Sequence, residues 1–273
     1  MMPQTAGRYG PSPALRTGQS GGMATLVVVH GAWGGGWEWS PVARLLRSGG
    51  HDVFTPTLTG MGERAHLGRH DRIGLDTHVR DIAAVLEFED LHDVVLVGAS
   101  YGGMPVTGAV DHAADRVNAV VYVDALVPRD GQSALDLLPP AFGEVVRAGL
   151  EEHGDAWRVP LPPDLFDRLV PVGSLPDDVR SAYRARLRDH PAAAFAEPLH
   201  LTGTVESVPR AFVRCTASGL AGGPEGDPIE ASAVRARQEG WVYRELEAPH
   251  DPQTFDPTGI AAVLDDLSRQ LGG

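Results

Sequence analysis

The sequence predicts an α/β fold: a doubly wound, mostly parallel sheet with a helical lid inserted after the strand that ends at Asp124. Three observations predict it. Several short runs are continuously apolar and β-branched, as strands are when helices cover both faces of a parallel sheet. Amphipathic segments alternate with these runs, which is typical of βαβ units with right-handed crossovers. Glycine-rich turns follow two of the runs, at strand ends where open α/β sheets bind ligands.

The elements follow from these patterns in chain order. Strands are predicted over residues 26–30, 52–56, 94–97, 118–124, 210–215 and 242–246. Helices are predicted over residues 37–48, 77–88, about 101–112 and about 229–239, and through 260–267 at the end of the chain. The helix over 77–88, for example, places Val79, Ile82 and Leu86 on one face, as a helix packed on a sheet requires.

The chain divides into a leader, a core and an insertion. Residues 1–22 are rich in Pro, Gly, Ser and Thr, without an apolar stretch long enough for a signal peptide, and predict a disordered leader. The core comprises residues 23–128 and 206–273. Residues 129–205 break the rhythm: they contain helix-like pieces at 141–151 and 177–188 and no convincing strand. They predict a helical lid that excludes water and shapes an apolar pocket.

The composition limits the classes of partner. The formal net charge is -13, whereas nucleic acids and anionic membrane surfaces need clustered positive charge. The single cysteine, Cys215, excludes an intramolecular disulfide, and no Cys/His cluster has zinc spacing. Gly31, Gly34 and Gly36 have the wrong spacing for a dinucleotide site. We therefore expect a cytoplasmic protein that takes a small-molecule substrate and no cofactor or metal, with a homodimer left open.

Two glycine-containing motifs carry the chemistry. The run at residues 94–97 leads into Gly98-Ala99-Ser100-Tyr101-Gly102, which fits the nucleophile-elbow pattern G-x-S-x-G. In such a bend the glycines leave room for neighbouring backbone while the serine hydroxyl points out of the sheet. The first strand ends in His30-Gly31-Ala32-Trp33, and this loop should face the elbow because both follow strands of one parallel sheet.

Together with His250 before the last helix, these motifs resemble the α/β-hydrolase superfamily. The chain looks most like the branch of plant methyl esterases, hydroxynitrile lyases and their bacterial relatives, over about residues 24–271. The resemblance implies Ser100 as nucleophile and His250 as general base, with the backbone N–H groups of Ala32 and Tyr101 as the oxyanion hole. The chemistry agrees, because a serine hydroxyl is a poor nucleophile until an imidazole takes its proton.

The acidic member of the triad departs from the commonest pattern of the superfamily. In most members a carboxylate follows the strand corresponding to residues 210–215, but no acid stands directly after Cys215 here. Asp124 ends the strand after the elbow strand, a position that some members, including certain haloalkane dehalogenases, use. We expect Asp124 to be the acid, with Asp227 and Glu225, on a longer glycine-rich loop, as the alternatives.

The leading functional hypothesis is a cofactor-free serine hydrolase. It would cleave an ester, or a lactone or thioester, of a small and partly apolar molecule through an acyl-enzyme, with Trp33 and Gly31 against the substrate. A lyase or cyclase that uses the same pocket without acylation stays open, and so does a ligand-binding sensor. Lysine assists the lyase chemistry in the resembling branch, and this chain contains none, which favours hydrolysis.

Overall fold

The computed structural model describes residues 23–69, 73–144, 158–220 and 227–272. The predicted leader, Glu225 and the predicted lid helix beyond residue 144 lie outside the described residues. The described strands are β1 (Thr25–Val29), β2 (Asp52–Phe54), β3 (Val94–Ala99), β4 (Val117–Val123), β5 (Arg158–Val159), β6 (His190–Pro191), β7 (Arg210–Cys215) and β8 (Val242–Leu246).

Six of these strands form one sheet in the order β2-β1-β3-β4-β7-β8, and every neighbouring pair is parallel. The order places β1 between β2 and β3, so that the chain winds outward in both directions from the centre. The predicted doubly wound α/β architecture is confirmed. Because parallel strands end at the same edge, the turns after β1, β3 and β4 lie side by side.

Helices cover both faces of the sheet. Their bounds are α1 (Ser40–Ser48), α2 (Leu75–Phe88), α3 (Gly103–Ala113), α4 (Ala134–Leu137), α5 (Pro163–Leu169), α6 (Asp177–Arg186), α7 (Ala192–Ala196), α8 (Glu230–Gln238), α9 (Pro252–Phe255) and α10 (Pro257–Leu271). The segment predicted as a helix over 37–48 begins instead as a 3-10 turn, Gly36–Trp39, before α1. A proline at the start of α1 has no N–H to give, which suits the first helical turn.

The core consists of two apolar layers, one on each face of the sheet. Successive strand residues point to opposite faces, so Leu26 and Val28 pack with α1 and α10 while Val27 and Val29 pack with α2 and α3. All four side chains are almost completely buried. Burying one such side chain contributes about 1.5–3 kcal/mol, so the two layers hold the strand ends in fixed positions.

The insertion between β4 and β7 contains helices α4 to α7 among the residues that the structure describes. The expectation of no strand there is wrong, because β5 and β6 form a short antiparallel ladder that pairs Val159 with His190. Two-residue strands have no alternating pattern that a sequence could reveal. The ladder borders the first glycine loop, where the indole N–H of Trp33 donates to the Val159 carbonyl at 2.9 Å.

Candidate active site

Ser100 stands at the bend between β3 and α3. Its φ of 51° lies in the left-handed region, which a serine adopts only where the surroundings enforce it. The flanking glycines are required by packing: a Cβ at Gly98 would lie 2.6 Å from a Val106 methyl, and a Cβ at Gly102 would lie 2.7 Å from the carbonyl oxygens of Val29 and His30. The bend therefore points the hydroxyl of Ser100 out of the sheet, into the cavity described below.

The structure brings Ser100, His250 and Asp124 together. Nε2 of His250 lies 2.9 Å from Oγ of Ser100, and Nδ1 of His250 lies 2.7 Å from Oδ2 of Asp124. A carboxylate can only accept, so Nδ1 carries the proton and Nε2 is free to accept from the serine hydroxyl. His250 follows β8 and Asp124 follows β4, so the three groups meet only through the sheet.

The charge of Asp124 controls the titration of His250. Burial of His250 lowers the pKa of its imidazole, but the hydrogen bond and the negative charge of Asp124 outweigh burial, and the pKa is raised above its usual value of 6.5. Asp251 and Asp227 add smaller contributions in the same direction. An imidazolium formed at His250 is thus stabilised by the carboxylate beside it.

The alternative acid Asp227 does not contact His250. Its carboxylate pairs with the guanidinium of Arg214, which in turn donates to Oδ1 of Asp124. Of the two acids considered that lie within the described residues, Asp124 is the one bonded to the imidazole. The neighbouring Asp251 accepts from Gln253 instead.

A cavity of about 250 Å³ opens in front of Ser100. The residues expected from the sequence, Gly31, Ala32, Trp33 and Tyr101, all line it. The insertion between β4 and β7 contributes apolar side chains to the cavity lining, namely Leu138, Phe142, Leu165, Phe166, Leu169 and Leu187. The arrangement leaves a mostly apolar chamber that ends in a few polar groups, as small-molecule sites commonly do.

The first glycine loop is held against the elbow by His30. This fully buried ring donates from Nδ1 to the Gly31 carbonyl at 2.7 Å and accepts the Leu58 N–H at Nε2, so both nitrogens are satisfied in the neutral form. Burial lowers the pKa of His30 to about 4. A Cβ at Gly31 would lie 3.1 Å from Cβ of Ser100, which shows how closely the loop approaches the serine.

The ring of Tyr101 is buried and points into the core. Nδ1 of His78 lies 2.9 Å from the Tyr101 hydroxyl, and Nε2 of His78 lies 3.0 Å from the Thr59 carbonyl. Burial lowers the pKa of His78 to about 4, so the ring is neutral and donates from Nε2 while Nδ1 accepts the tyrosine proton. This hydrogen bond holds the side chain of Tyr101, the residue after the serine, in the core.

The sequence patterns did not indicate several polar residues that line the cavity, among them Glu38 and Tyr183. The Tyr183 hydroxyl donates to Glu38 at 2.6 Å, which joins helix α6 to the 3-10 turn before α1. An acid between Trp37 and Trp39 was the only available signal, because Tyr183 is 145 residues away. Trp37 does not line the cavity; its ring packs against Tyr183 at 5.4 Å between centroids.

Among the described residues, no group of three or more His, Cys, Asp or Glu side chains could hold a metal ion. The described helices likewise include none with the length and apolar character needed to cross a membrane.

Comparison with known proteins assigns the family. A family model described as "Alpha/beta hydrolase family" matches residues 26–263. The carbendazim hydrolyzing esterase of Nocardioides sp. (strain SG-4G) is 36% identical over 253 residues, which are 89% of this chain and 98% of that protein.

Two solved structures share the fold. An extracellular alpha/beta-hydrolase from a Paenibacillus species, described as homologous in structure and function to tobacco salicylic acid binding protein 2, superposes with a TM-score of 0.77 at 24% identity. The superposition covers 89% of this chain and 98% of that one. The methylesterase MES16 from Arabidopsis gives a TM-score of 0.69 at 24% identity, covering 91% of this chain and 100% of that one. The resemblance inferred from the motifs is confirmed.

Proposed function

Because this chain belongs to the alpha/beta hydrolase family and is an esterase-like enzyme, we propose that it cleaves an ester bond through an acyl-enzyme formed on Ser100. The substrate class is an ester, lactone or thioester of a small, partly apolar molecule. One observation carries the proposal: an unbroken chain of hydrogen bonds runs from Ser100 through His250 to Asp124 at the wall of an apolar cavity.

In this mechanism His250 accepts the Ser100 proton at Nε2 as Oγ attacks the carbonyl carbon. Asp124 keeps the proton of His250 on Nδ1 and stabilises the imidazolium. The backbone N–H groups of Ala32 and Tyr101 donate to the oxyanion; removing one such donor costs about 10²–10³-fold in rate. His250 then returns the proton to the leaving alcohol. In the second half of the reaction, His250 takes a proton from the water that attacks the acyl carbonyl, and it gives this proton to Oγ of Ser100 as the acid is released.

The cavity wall supports a partly apolar substrate. Trp33 lies with its ring 6.1 Å from Phe142 and 5.9 Å from Phe195, so one side of the chamber is aromatic. The Nocardioides relative is described as hydrolysing carbendazim, which makes that compound a direct trial substrate for this chain. Gly31 and Trp33 would contact the acyl part, next to the serine.

The test combines labelling with kinetics. A fluorophosphonate probe followed by mass spectrometry should place an adduct on Ser100, and short p-nitrophenyl esters and carbendazim should be assayed with the same protein. We expect Ser100→Ala and His250→Ala to reduce kcat/KM by about 10³-fold or more, and Asp124→Asn by a comparable factor.

Ser207→Ala, which removes an exposed serine outside the cavity lining, serves as the matched control and should retain the wild-type rate. An adduct without any ester hydrolysis would contradict the proposal and favour a lyase, cyclase or sensor. If Asp227→Asn loses this activity while Asp124→Asn keeps it, the acid is wrongly assigned.

A further inference from the structure

A second layer of charge lies behind Asp124. Oδ2 of Asp124 accepts from His250, while Oδ1 accepts from Nη1 of Arg214 at 2.5 Å and from the backbone N–H of Cys215 at 3.1 Å. The carboxylate is fully buried. With Oδ1 bound twice, only Oδ2 is left to face the imidazole.

Arg214 is itself balanced by a second carboxylate. Its Nη2 pairs with Oδ2 of Asp227, and Oδ1 of Asp227 accepts the Ile229 N–H at 2.9 Å. Both side chains of this ion pair are about nine-tenths buried. The buried row therefore reads Asp124, Arg214, Asp227, with one cation between two anions.

We infer that Arg214 is a positioning residue of the proposed hydrolase: it fixes which oxygen of Asp124 meets His250, and with Asp227 it sets the charge that the imidazole experiences. The inference rests on the proposed function. A lone cation on Asp124 would weaken the attraction between this carboxylate and the imidazolium, and Asp227 offsets that effect.

The row also touches the substrate chamber. Asp227 holds the backbone at the start of α8, where Pro228 and Ile229 line the cavity. The same carboxylate thus connects one wall of the chamber to the acid behind the histidine.

The charges around His250 determine the sign of each test. The carboxylates of Asp124, Asp251 and Asp227 raise the pKa of its imidazole. Arg214 is paired with Asp124, and a positive charge near an imidazole lowers its pKa. Burial keeps the thiol of Cys215 protonated by raising its pKa, so that it adds no charge. Removing Asp227 must lower the pKa of His250, and removing the cation must raise it.

The experiment measures kcat/KM against pH with a p-nitrophenyl ester, and the His250 titration by NMR in the same variants. Asp227→Asn should move the acid limb of the profile to lower pH by about half a unit or more, and Arg214→Gln should move it to higher pH by a similar amount. The double variant Arg214→Gln with Asp227→Asn should return near the wild-type limb, because the two charge changes cancel.

Arg214→Lys is the conservative variant: it keeps the cation and should leave the limb in place, while the loss of the second hydrogen bond lowers kcat. The inference would be overturned if the acid limb of the pH profile does not shift in Asp227→Asn, or if it shifts in the same direction in both single variants. If Arg214→Gln fails to fold, Asp227→Asn alone decides. Absence of hydrolysis in the wild type would count against the proposed function only, since the NMR titration reports on His250 without turnover.

Discussion

Three residues of the candidate site adopt a backbone conformation that L side chains rarely take. The φ angles of Trp33, Ser100 and Asp124 are 62°, 51° and 41°. Each such residue costs on the order of 1–3 kcal/mol, so the surroundings must hold it. Leu126 donates its N–H to the Ser100 carbonyl at 3.0 Å, and Asp124 donates to the Val213 carbonyl at 2.8 Å. The backbone strain is therefore concentrated at residues whose side chains form the candidate site.

The elbow leaves no room for a side chain at Gly102. Gly102→Ala would place a Cβ 2.7 Å from two backbone carbonyl oxygens, which cannot rotate away. We expect this variant to lose about 1–3 kcal/mol of unfolding free energy, measured by urea denaturation, because overpacking forces the backbone to shift.

Gly49→Ala is the matched control, since both glycines have negative φ and the nearest atom to its Cβ would be a carbonyl oxygen at 3.2 Å. Equal stability losses in the two variants would show that the tight contact at Gly102 is not what requires glycine.

Helix α6 of the insertion between β4 and β7 packs on the 3-10 turn Gly36–Trp39. The guanidinium of Arg186 lies 3.7 Å from the Trp37 ring centroid, and the Tyr183 hydroxyl donates to Glu38 at 2.6 Å. Glu38 also accepts the Gly35 N–H at 3.0 Å. One carboxyl group therefore binds both its own turn and helix α6.

The protonation of Glu38 makes this contact pH-dependent. Burial, followed by the nearby negative charge of Asp251, raises the pKa of Glu38 to about 8, against a smaller opposing effect of Tyr183, Gly35 and Arg186. The folded protein keeps a proton that the unfolded chain loses above about pH 4.5. The group therefore stabilises the fold at low pH, and this contribution declines between about pH 4.5 and 8, by about 1.4 kcal/mol per pH unit at most.

Glu38→Gln should remove that decline, because the amide oxygen can still accept from the Gly35 N–H and the amide cannot ionise. The measurement is the urea midpoint of both proteins at pH 6 and pH 8.5. We expect the urea midpoint of the variant to fall less between pH 6 and pH 8.5 than that of the wild type. An unchanged pH dependence would mean that Glu38 is ionised in the folded protein at pH 6.

At the scale of the whole molecule, three buried neutral histidines oppose acid. Burial lowers the pKa of His30 and of His78 to about 4 and that of His190 well below its usual value. Neither ring nitrogen of His190 has a hydrogen-bond partner among the described residues, and its ring lies 4.3 Å from Phe195 and 4.5 Å from Tyr101. Protonating it would put an uncompensated charge among aromatic rings.

The direction in which stability changes with pH follows from the number of protons that the folded and unfolded states bind. Below about pH 6.5 the unfolded chain binds three protons at these histidines that the folded protein excludes, so stability falls as pH drops from 6.5 towards 4. The three histidines together give a slope of up to about 4 kcal/mol per pH unit. Glu38 has the opposite effect and reduces this slope by up to about 1.4 kcal/mol per pH unit. With Glu38 acting in the opposite sense above this range, we expect greatest stability near about pH 6.5, measured by urea midpoints from pH 4 to 9.

His190→Phe isolates one of the three histidines. The variant keeps an aromatic ring in the cage and cannot bind a proton, so its stability should fall less steeply between about pH 6.5 and 4 than that of the wild type. At pH 7.5 the two proteins should differ little. The same acid slope in both would show that His190 is not a source of acid sensitivity.

The six strands of the sheet could be predicted from the sequence, whereas the short helices α4, α5, α7 and α9 were not predicted. Strands over 210–215 and 242–246 have the bounds expected, and the others differ by one or two residues at their ends. This worked because burial on both sides of a parallel sheet leaves a continuous apolar run, which is a local signal. The two-residue ladder of β5 and β6 was not predicted, because its pairing depends on residues far apart in the chain.

The α/β fold, the elbow at Ser100 and the order of serine, acid and histidine along the chain can be predicted from the sequence, because motifs and periodicity are properties of neighbouring residues. Only the tertiary structure decided which acid meets His250: Asp124 is 126 residues away from it, whereas Asp227 pairs with Arg214. It also decided that Glu38 binds Tyr183 across 145 residues. The physical reason is that hydrogen bonds and buried charges act over a few ångströms of space, and the distance along the chain does not specify that space.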